Sequence, residues 1–322
     1  MSLRFAETIL SYYPPAQAIA GCLLCTGSYV GFLLVWKGLP RNHPRTIKRR
    51  MLSVVATCSI SWIPLYIAEP QKWHILETLG ISLTGFPATS IRALVLTSSL
   101  FLGPLVYRMA DPVTHHHIRT SFQCVASEVV KLLNLVPASQ RQPPHPSFNA
   151  HKDAATTSYH DAAEMTSGHR SLVLLRNLAV APIAEEFVFR ACMLPLIELK
   201  GISRTTAVFT TPLFFGLAHF IHLHELTQYQ GMSLKQALPP VLFQFLYTTV
   251  FGWYESALFL ATKSLVPPIL VHSFCNWMGV PDMRRMKQVA GGSSRLPLLL
   301  TAIGVVLFSV LLHSMLIRDL YI

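Results

Sequence analysis

Three apolar stretches of this 322-residue sequence carry ionisable side chains: Ala181-Pro-Ile-Ala-Glu-Glu-Phe-Val-Phe-Arg190, Phe214-Phe-Gly-Leu-Ala-His-Phe-Ile-His-Leu-His224 and Val271-His-Ser-Phe-Cys-Asn-Trp-Met-Gly279. An ionisable group at membrane depth costs at least about 2.5–3.5 kcal/mol on insertion scales, so each one needs a reason to be there. Helical spacing sorts them. Glu186 and Arg190 are i and i+4 with the acid N-terminal, the favourable order for an ion pair on one face. Glu185 points about 100° away from Glu186 around a helix of 3.6 residues per turn and has no basic residue at i+3 or i+4, which suits it to take up and release a proton. His272 and Asn276 share a face at i and i+4, and His219 and His222 can share one at i and i+3. A carboxylate and an imidazole can position and deprotonate a water, while an imidazole and an amide can donate hydrogen bonds to a developing oxyanion, where losing one donor costs roughly 100- to 1000-fold. The constellation is that of a hydrolase.

The elements that must position these groups follow from composition. The chain is 52% hydrophobic and only 13% charged, against about 25% charged for a soluble domain. That excludes an ordinary soluble protein, and a disordered chain would need the opposite balance. The expected fold class is all-α, a polytopic membrane protein with about eight transmembrane helices around an intramembrane catalytic cavity. Apolar runs place the spans at Ala16–Trp36, Leu52–Ala68, Ile91–Tyr107, Leu172–Leu199, Thr206–Leu223, Leu238–Ala261, Val266–Val280 and Leu296–Ile317. The chain then divides into N-terminal helices over 1–107, a polar loop over 108–170 and motif-bearing helices over 171–322. Within the loop, Val125–Leu135 has the pattern of an interfacial amphipathic helix, and the run His115–His117 reads as a solvated tract.

The net charge of +11 reads as topology and not as nucleic-acid binding. Lys37–Arg50 and Arg108–Arg170 each hold six basic residues and Asp282–Arg295 holds four, whereas Glu69–Pro87 holds one. Counting Lys and Arg, eight spans place all three basic segments in the cytosol and both termini opposite. Lys48, Arg49 and Arg50 beside a span would also attract anionic lipid. Five of the six cysteines fall in apolar stretches and read as small hydrophobes, including the pair Cys22 and Cys25. No removable signal peptide is expected at the start.

On the quoted residues the sequence resembles the type II CAAX prenyl protease family, the Ras-converting endopeptidases of the glutamate-type intramembrane protease group, in its eukaryotic branch. The family signatures Glu-Glu-x-x-x-Arg, Phe-x-x-x-His and His-x-x-x-Asn stand here as Glu185-Glu186-Phe-Val-Phe-Arg190, Phe215-Gly-Leu-Ala-His219 and His272-Ser-Phe-Cys-Asn276. The resemblance covers about residues 170–290; residues 1–169 carry no motif of the family. It implies that Glu185 and His219 activate water, that Glu186 partners Arg190, and that His272 and Asn276 stabilise the oxyanion. It also implies removal of the last three residues of prenylated CAAX proteins such as Ras- and Rho-type small GTPases. No metal or other cofactor is implied, and the expected location is the endoplasmic reticulum membrane with the site reached from the cytosolic side. One departure is Ile221, where the eukaryotic branch often has a further His; His222 is therefore expected only to support the site.

Other readings meet the same residues. His224-Glu225 is followed at the required position by Gln228, so the zinc-protease signature His-Glu-x-x-His is absent, although Glu185, His219 and His272 as a zinc-dependent site stay open on sequence alone. Cys192 and Cys275 lie in the motifs, but apolar flanks leave a thiol inert. A transporter or scaffold would line a polar path with similar side chains. Glu255 is one more carboxylate in an apolar stretch, and two placements stay open for it: lining the cavity or pairing with Arg92.

Overall fold

The computed structural model describes residues 14–36, 38–81, 86–110, 167–291 and 294–314. Among these residues the secondary structure is entirely helical. The expectations for Val125–Leu135 and for the histidines at 115–117 lie outside the described residues. We number the main helices α1 (Pro14–Leu34), α2 (Pro44–Ala68), α3 (Phe86–Leu100), α4 (Leu102–Ala110), α5 (residues 167–199), α6 (Arg204–Ala218), α7 (Ile221–Gln228), α8 (Leu234–Thr262), α9 (Val266–Met278), α10 (Met283–Val289) and α11 (Leu296–Leu312). Among the described residues three stretches are long and apolar enough to cross a membrane: α1, α2 and Arg204–Gln228, which runs from α6 through α7. Large apolar side chains such as Leu23, Leu24, Val55, Ile67, Leu246 and Val306 stand exposed on the helix surfaces, as a lipid-facing exterior requires.

Two stretches that hydropathy marks as simple spans are shaped differently. The stretch expected as Ile91–Tyr107 is a pair, α3 and α4, bent by 82° at Phe101. Pro104 sits in the first turn of α4, where its missing N–H costs least, and Gly103 lets the bend close onto α11: a Cβ there would fall 2.4 Å from Thr301 Oγ1. The stretch expected as Leu172–Leu199 is one continuous path, α5, in which Ser167–Leu175, Ala181–Glu186 and Met193–Leu199 are α-helical while Arg176–Val180 and Phe187–Cys192 are π-helical. Pro182 has no N–H for the preceding turn, which accounts for a loosened ladder just before it. Wide turns of this kind rotate the side chains that follow and recur at functional sites.

Packing sets α5 at the centre. Its second π segment touches α1, α2, α6 and α8, and its first lies against α9. The buried core runs through Val188, Phe189, Met193 and Leu194 of α5 to Cys22 and Cys25 of α1, Leu65 of α2 and Phe215 of α6. Helices α6 and α8 approach closely because two glycines lie between them. A Cβ on Gly216 would meet Thr249 Oγ1 at 2.4 Å, and one on Gly252 would meet Pro212 Cβ at 2.6 Å. Small residues at such crossings are how membrane helices gain contact without a hydrophobic drive.

Candidate active site

Glu185 and Glu186 end the short α-helical segment of α5, between its two π turns, and so leave it on different sides. Glu186 is wholly buried and Arg190 is 1% exposed. Arg190 Nη1 stands 3.1 Å from Glu186 Oε1, and its guanidinium lies over the Phe215 ring, 4.4 Å from the centroid. Gly252 leaves room for that guanidinium, since a Cβ there would sit 3.3 Å from Arg190 Nη2.

The same carboxylate reaches α9. His272, 4% exposed, has Nδ1 at 2.6 Å from Glu186 Oε1, and its Nε2 is 3.6 Å from Glu185 Oε2. With Nδ1–H donating to Glu186, a carboxylate held by an arginine, Nε2 faces the Glu185 side. The imidazole is clasped edge to face by Phe215 and Phe251, with centroids at 6.2 and 5.1 Å. One turn on, Asn276 Nδ2 donates to the Asn177 carbonyl at 3.0 Å. That bond uses one of the two amide hydrogens and fixes the side chain, leaving the second hydrogen to donate elsewhere.

His219 caps α6, where the chain turns before α7. Its Nδ1 is 2.8 Å from the Phe215 carbonyl. A carbonyl only accepts, so Nδ1 carries the hydrogen and Nε2 is left as the basic nitrogen. His222, a turn later, has Nδ1 at 2.5 Å from Gln244 Oε1 and Nε2 at 3.0 Å from Arg41 Nη1. Both of its nitrogens are thus engaged in the neutral form, with Arg41 donating to Nε2.

A single cavity of about 720 Å³ gathers these groups. Its lining includes Glu185, His219, His222, His272 and Asn276. Glu186 and Arg190 stand behind the wall, bonded to His272 and to each other. An apolar and aromatic part of the wall is formed by Leu33, Val54, Phe101, Phe243, Phe251 and Phe308.

Four lining residues have no sequence signal of their own. Tyr29 of α1 donates its hydroxyl to Glu185 Oε1 at 2.8 Å while its ring packs on Phe189 at 5.4 Å. Arg41, from the α1–α2 connection, Arg176, in the first π segment, and Gln244 of α8 add to the polar part of the wall. Only the approach of α1, α5 and α8 makes them neighbours, and no spacing in the chain encodes that approach.

Glu255 is not part of the lining. It is wholly buried in α8, close enough to Glu186 and Arg190 to feel both charges, and neither of its oxygens has a hydrogen-bond partner. Of the two motif cysteines, Cys275 lines the cavity and Cys192 is buried away from it. Among the described residues no three His, Cys, Asp or Glu side chains are grouped to hold a metal ion.

Fold and cavity together define a helical membrane protein whose cavity gathers an acid, imidazole and amide constellation. Residues 167–278 match the family described as "Type II CAAX prenyl endopeptidase Rce1-like". The chain is 36% identical over 313 residues to "CAAX prenyl protease 2" of Homo sapiens, covering 94% of this chain and 82% of that protein. To "CAAX prenyl protease 2" of Arabidopsis thaliana it is 36% identical over 284 residues, with 82% and 80% covered. It is 49% identical over 109 residues to "Probable CAAX prenyl protease 2" of Schizosaccharomyces pombe, with 34% and 40% covered. No solved structure matches the chain. The chain belongs to the type II CAAX prenyl endopeptidase family, and its activity is that of a peptidase acting on prenylated CAAX proteins. The transporter and scaffold readings fall with that membership.

Proposed function

We propose that the protein releases the C-terminal tripeptide of prenylated CAAX proteins by attack of a water activated by Glu185 and His219, without a metal. The observation that carries this reading is the convergence of Glu185, His219, His272 and Asn276 on one cavity, with His219 Nε2 left as its basic nitrogen. A water between the Glu185 carboxylate and that nitrogen gives up a proton to Glu185, and its oxygen adds to the carbonyl carbon of the prenylated Cys. The oxyanion takes hydrogen bonds from the second Asn276 amide hydrogen and from Nε2–H of His272, which in this step carries hydrogens on both ring nitrogens, Nδ1–H still donating to Glu186. Collapse breaks the C–N bond, and the departing amine receives the proton held by Glu185. Glu186 and Arg190 act through His272 by fixing its ring. His222 supports the site from outside the reaction.

The apolar part of the wall suits the prenyl chain, which partitions into lipid and brings its peptide to the cavity from the bilayer. Eight spans, the endoplasmic reticulum membrane, entry from the cytosolic face and Ras- or Rho-type GTPase substrates belong to the same reading. The positive segments Lys37–Arg50, Arg108–Arg170 and Asp282–Arg295 support that orientation.

The rival is a zinc-assisted attack using Glu185, His219 and His272. Purified protein in lipid nanodiscs, treated exhaustively with chelator, should release tripeptide from a prenylated CAAX peptide at its untreated rate. Loss of activity on chelation with recovery on adding zinc would replace the Glu/His mechanism with a metal one.

A further inference from the structure

Three arginines border the cavity beside the candidate catalytic groups: Arg41, Arg50 and Arg176. Among the described residues, the carboxylate in ion-pair contact with them is Glu225, whose Oε2 is 3.5 Å from Arg50 Nη2 and whose Oε1 accepts the Arg41 backbone N–H at 2.5 Å. The Arg41 guanidinium meets a neutral group, His222 Nε2, at 3.0 Å. The Arg176 guanidinium meets only neutral oxygens: Asn177 Oδ1 at 2.9 Å, Asn42 Oδ1 at 3.1 and 3.2 Å, and the Arg41 carbonyl at 3.3 Å. Arg50 Nε is buried with no partner. Three guanidinium charges against one ion-paired carboxylate, with Glu185 the other carboxylate on the cavity, leave this end of it with a surplus of positive charge partly withdrawn from water. Burial, and after it the neighbouring Arg50, hold the Arg41 guanidinium below its usual range against the opposing pull of Glu185 and Glu225.

The position of the cluster suggests which anion. His219 and His222 have ring centroids 5.8 Å apart, and His222 Nε2 is 3.0 Å from Arg41 Nη1. An extended chain advances about 3.3 Å per residue, so a tripeptide carries its terminal carboxylate roughly 10 Å beyond the bond to be cut. The two steps from His219 to Arg41 lie within that reach. Planar guanidinium forks match a carboxylate in two parallel hydrogen bonds.

We propose that Arg41 and Arg176, backed by Arg50, bind the free C-terminal carboxylate of the substrate and so fix the cut three residues from its end. This rests on the reading of Glu185 and His219 as the site of attack, and it converts the arginines into a ruler measured from that site. The tripeptide's side chains need then contribute little to the register, since the carboxylate alone sets it.

The test measures binding to the Glu185→Ala protein in zwitterionic nanodiscs. The probes are a fluorescent prenylated CAAX peptide as the free acid and the same peptide as the C-terminal amide. The acid should bind about tenfold to a hundredfold more tightly, the range of a lost charge-assisted hydrogen bond. Arg41→Gln and Arg176→Gln should each erase the difference by weakening the acid while leaving the amide unchanged, and Arg41→Lys should keep part of it. On the wild-type protein the same acid-to-amide ratio should appear in kcat/KM. Equal binding of acid and amide overturns the proposal. So does an Arg41→Gln variant that weakens both alike, which would mark a structural role. Loss of the preference in nanodiscs of anionic lipid would assign the arginines to headgroup phosphates instead and overturn it too. If Glu185→Ala still cuts the peptide, the catalytic assignment fails, while the acid-to-amide ratio continues to decide the arginines.

Discussion

Glu185 gains its neighbours from far along the chain: the Tyr29 hydroxyl donates to it across 156 positions of sequence, and His272 approaches from α9. A hydrogen bond to a charged partner contributes about 1.5–3 kcal/mol. The Tyr29→Phe variant keeps the ring that packs on Phe189 and removes only that bond, so kcat should fall by about tenfold to a hundredfold with little change in melting temperature. An unchanged kcat would show that Glu185 is oriented without Tyr29. At this scale the sequence put forward the groups to which chemistry is assigned in our proposal, because each motif is a local pattern spanning five or six residues. Glu185, His219, His272 and Asn276 do line one cavity. Tyr29, Arg41, Arg176 and Gln244 escaped, since an aromatic with a polar tip or an arginine near a span end is an ordinary feature of membrane helices. For Glu255, the cavity wall and Arg92 were both open from sequence. The structure puts it instead in the dry region beside Glu186 and Arg190.

Helices carry these residues to their places through details that hydropathy does not register. A window of apolar residues counts composition, so it marks 91–107 and 172–199 as spans equally well whether the path is straight, bent by 82° or widened into π turns. The hydrogen-bond register that decides between those shapes depends on Pro104 and Pro182 and on what packs alongside. The α6–α8 crossing is the element on which the site depends most, because it seats Phe215 and His219 on one side and gives Arg190 its space on the other. Gly252→Ala would drive a Cβ to 2.6 Å from Pro212 Cβ, a rigid neighbour. Overpacking of that kind costs roughly 1–3 kcal/mol, so the variant should melt several degrees lower and lose activity together with its Arg190 seat. Gly27→Ala in α1, where no atom lies within 4 Å of the added Cβ, should leave both measurements unchanged. Equal behaviour of the two variants would show that the α6–α8 contact is not limiting.

Across the whole molecule, scarcity of charge is the organising fact. Only 13% of residues are charged, and 16 of the 26 Lys and Arg fall in the three segments 37–50, 108–170 and 282–295. The charges left inside are arranged in two ways. Arg190 and Glu186 form a buried pair behind the cavity wall, with Glu255 beside it, and Glu186 holds His272 from that side. Glu185 instead opens on the cavity with Tyr29 and His272 as its partners. The account makes the Glu186–Arg190 pair scaffold and assigns the chemistry to Glu185 with His219, His272 and Asn276, and replacing Glu185 alone separates the two. In nanodiscs, wild-type protein should release the C-terminal tripeptide from a prenylated CAAX peptide, read by mass spectrometry. Glu185→Ala, folded as judged by an unchanged melting transition, should release it at least about a hundredfold more slowly. Tripeptide release at the wild-type rate by a folded Glu185→Ala protein would contradict the account at its centre.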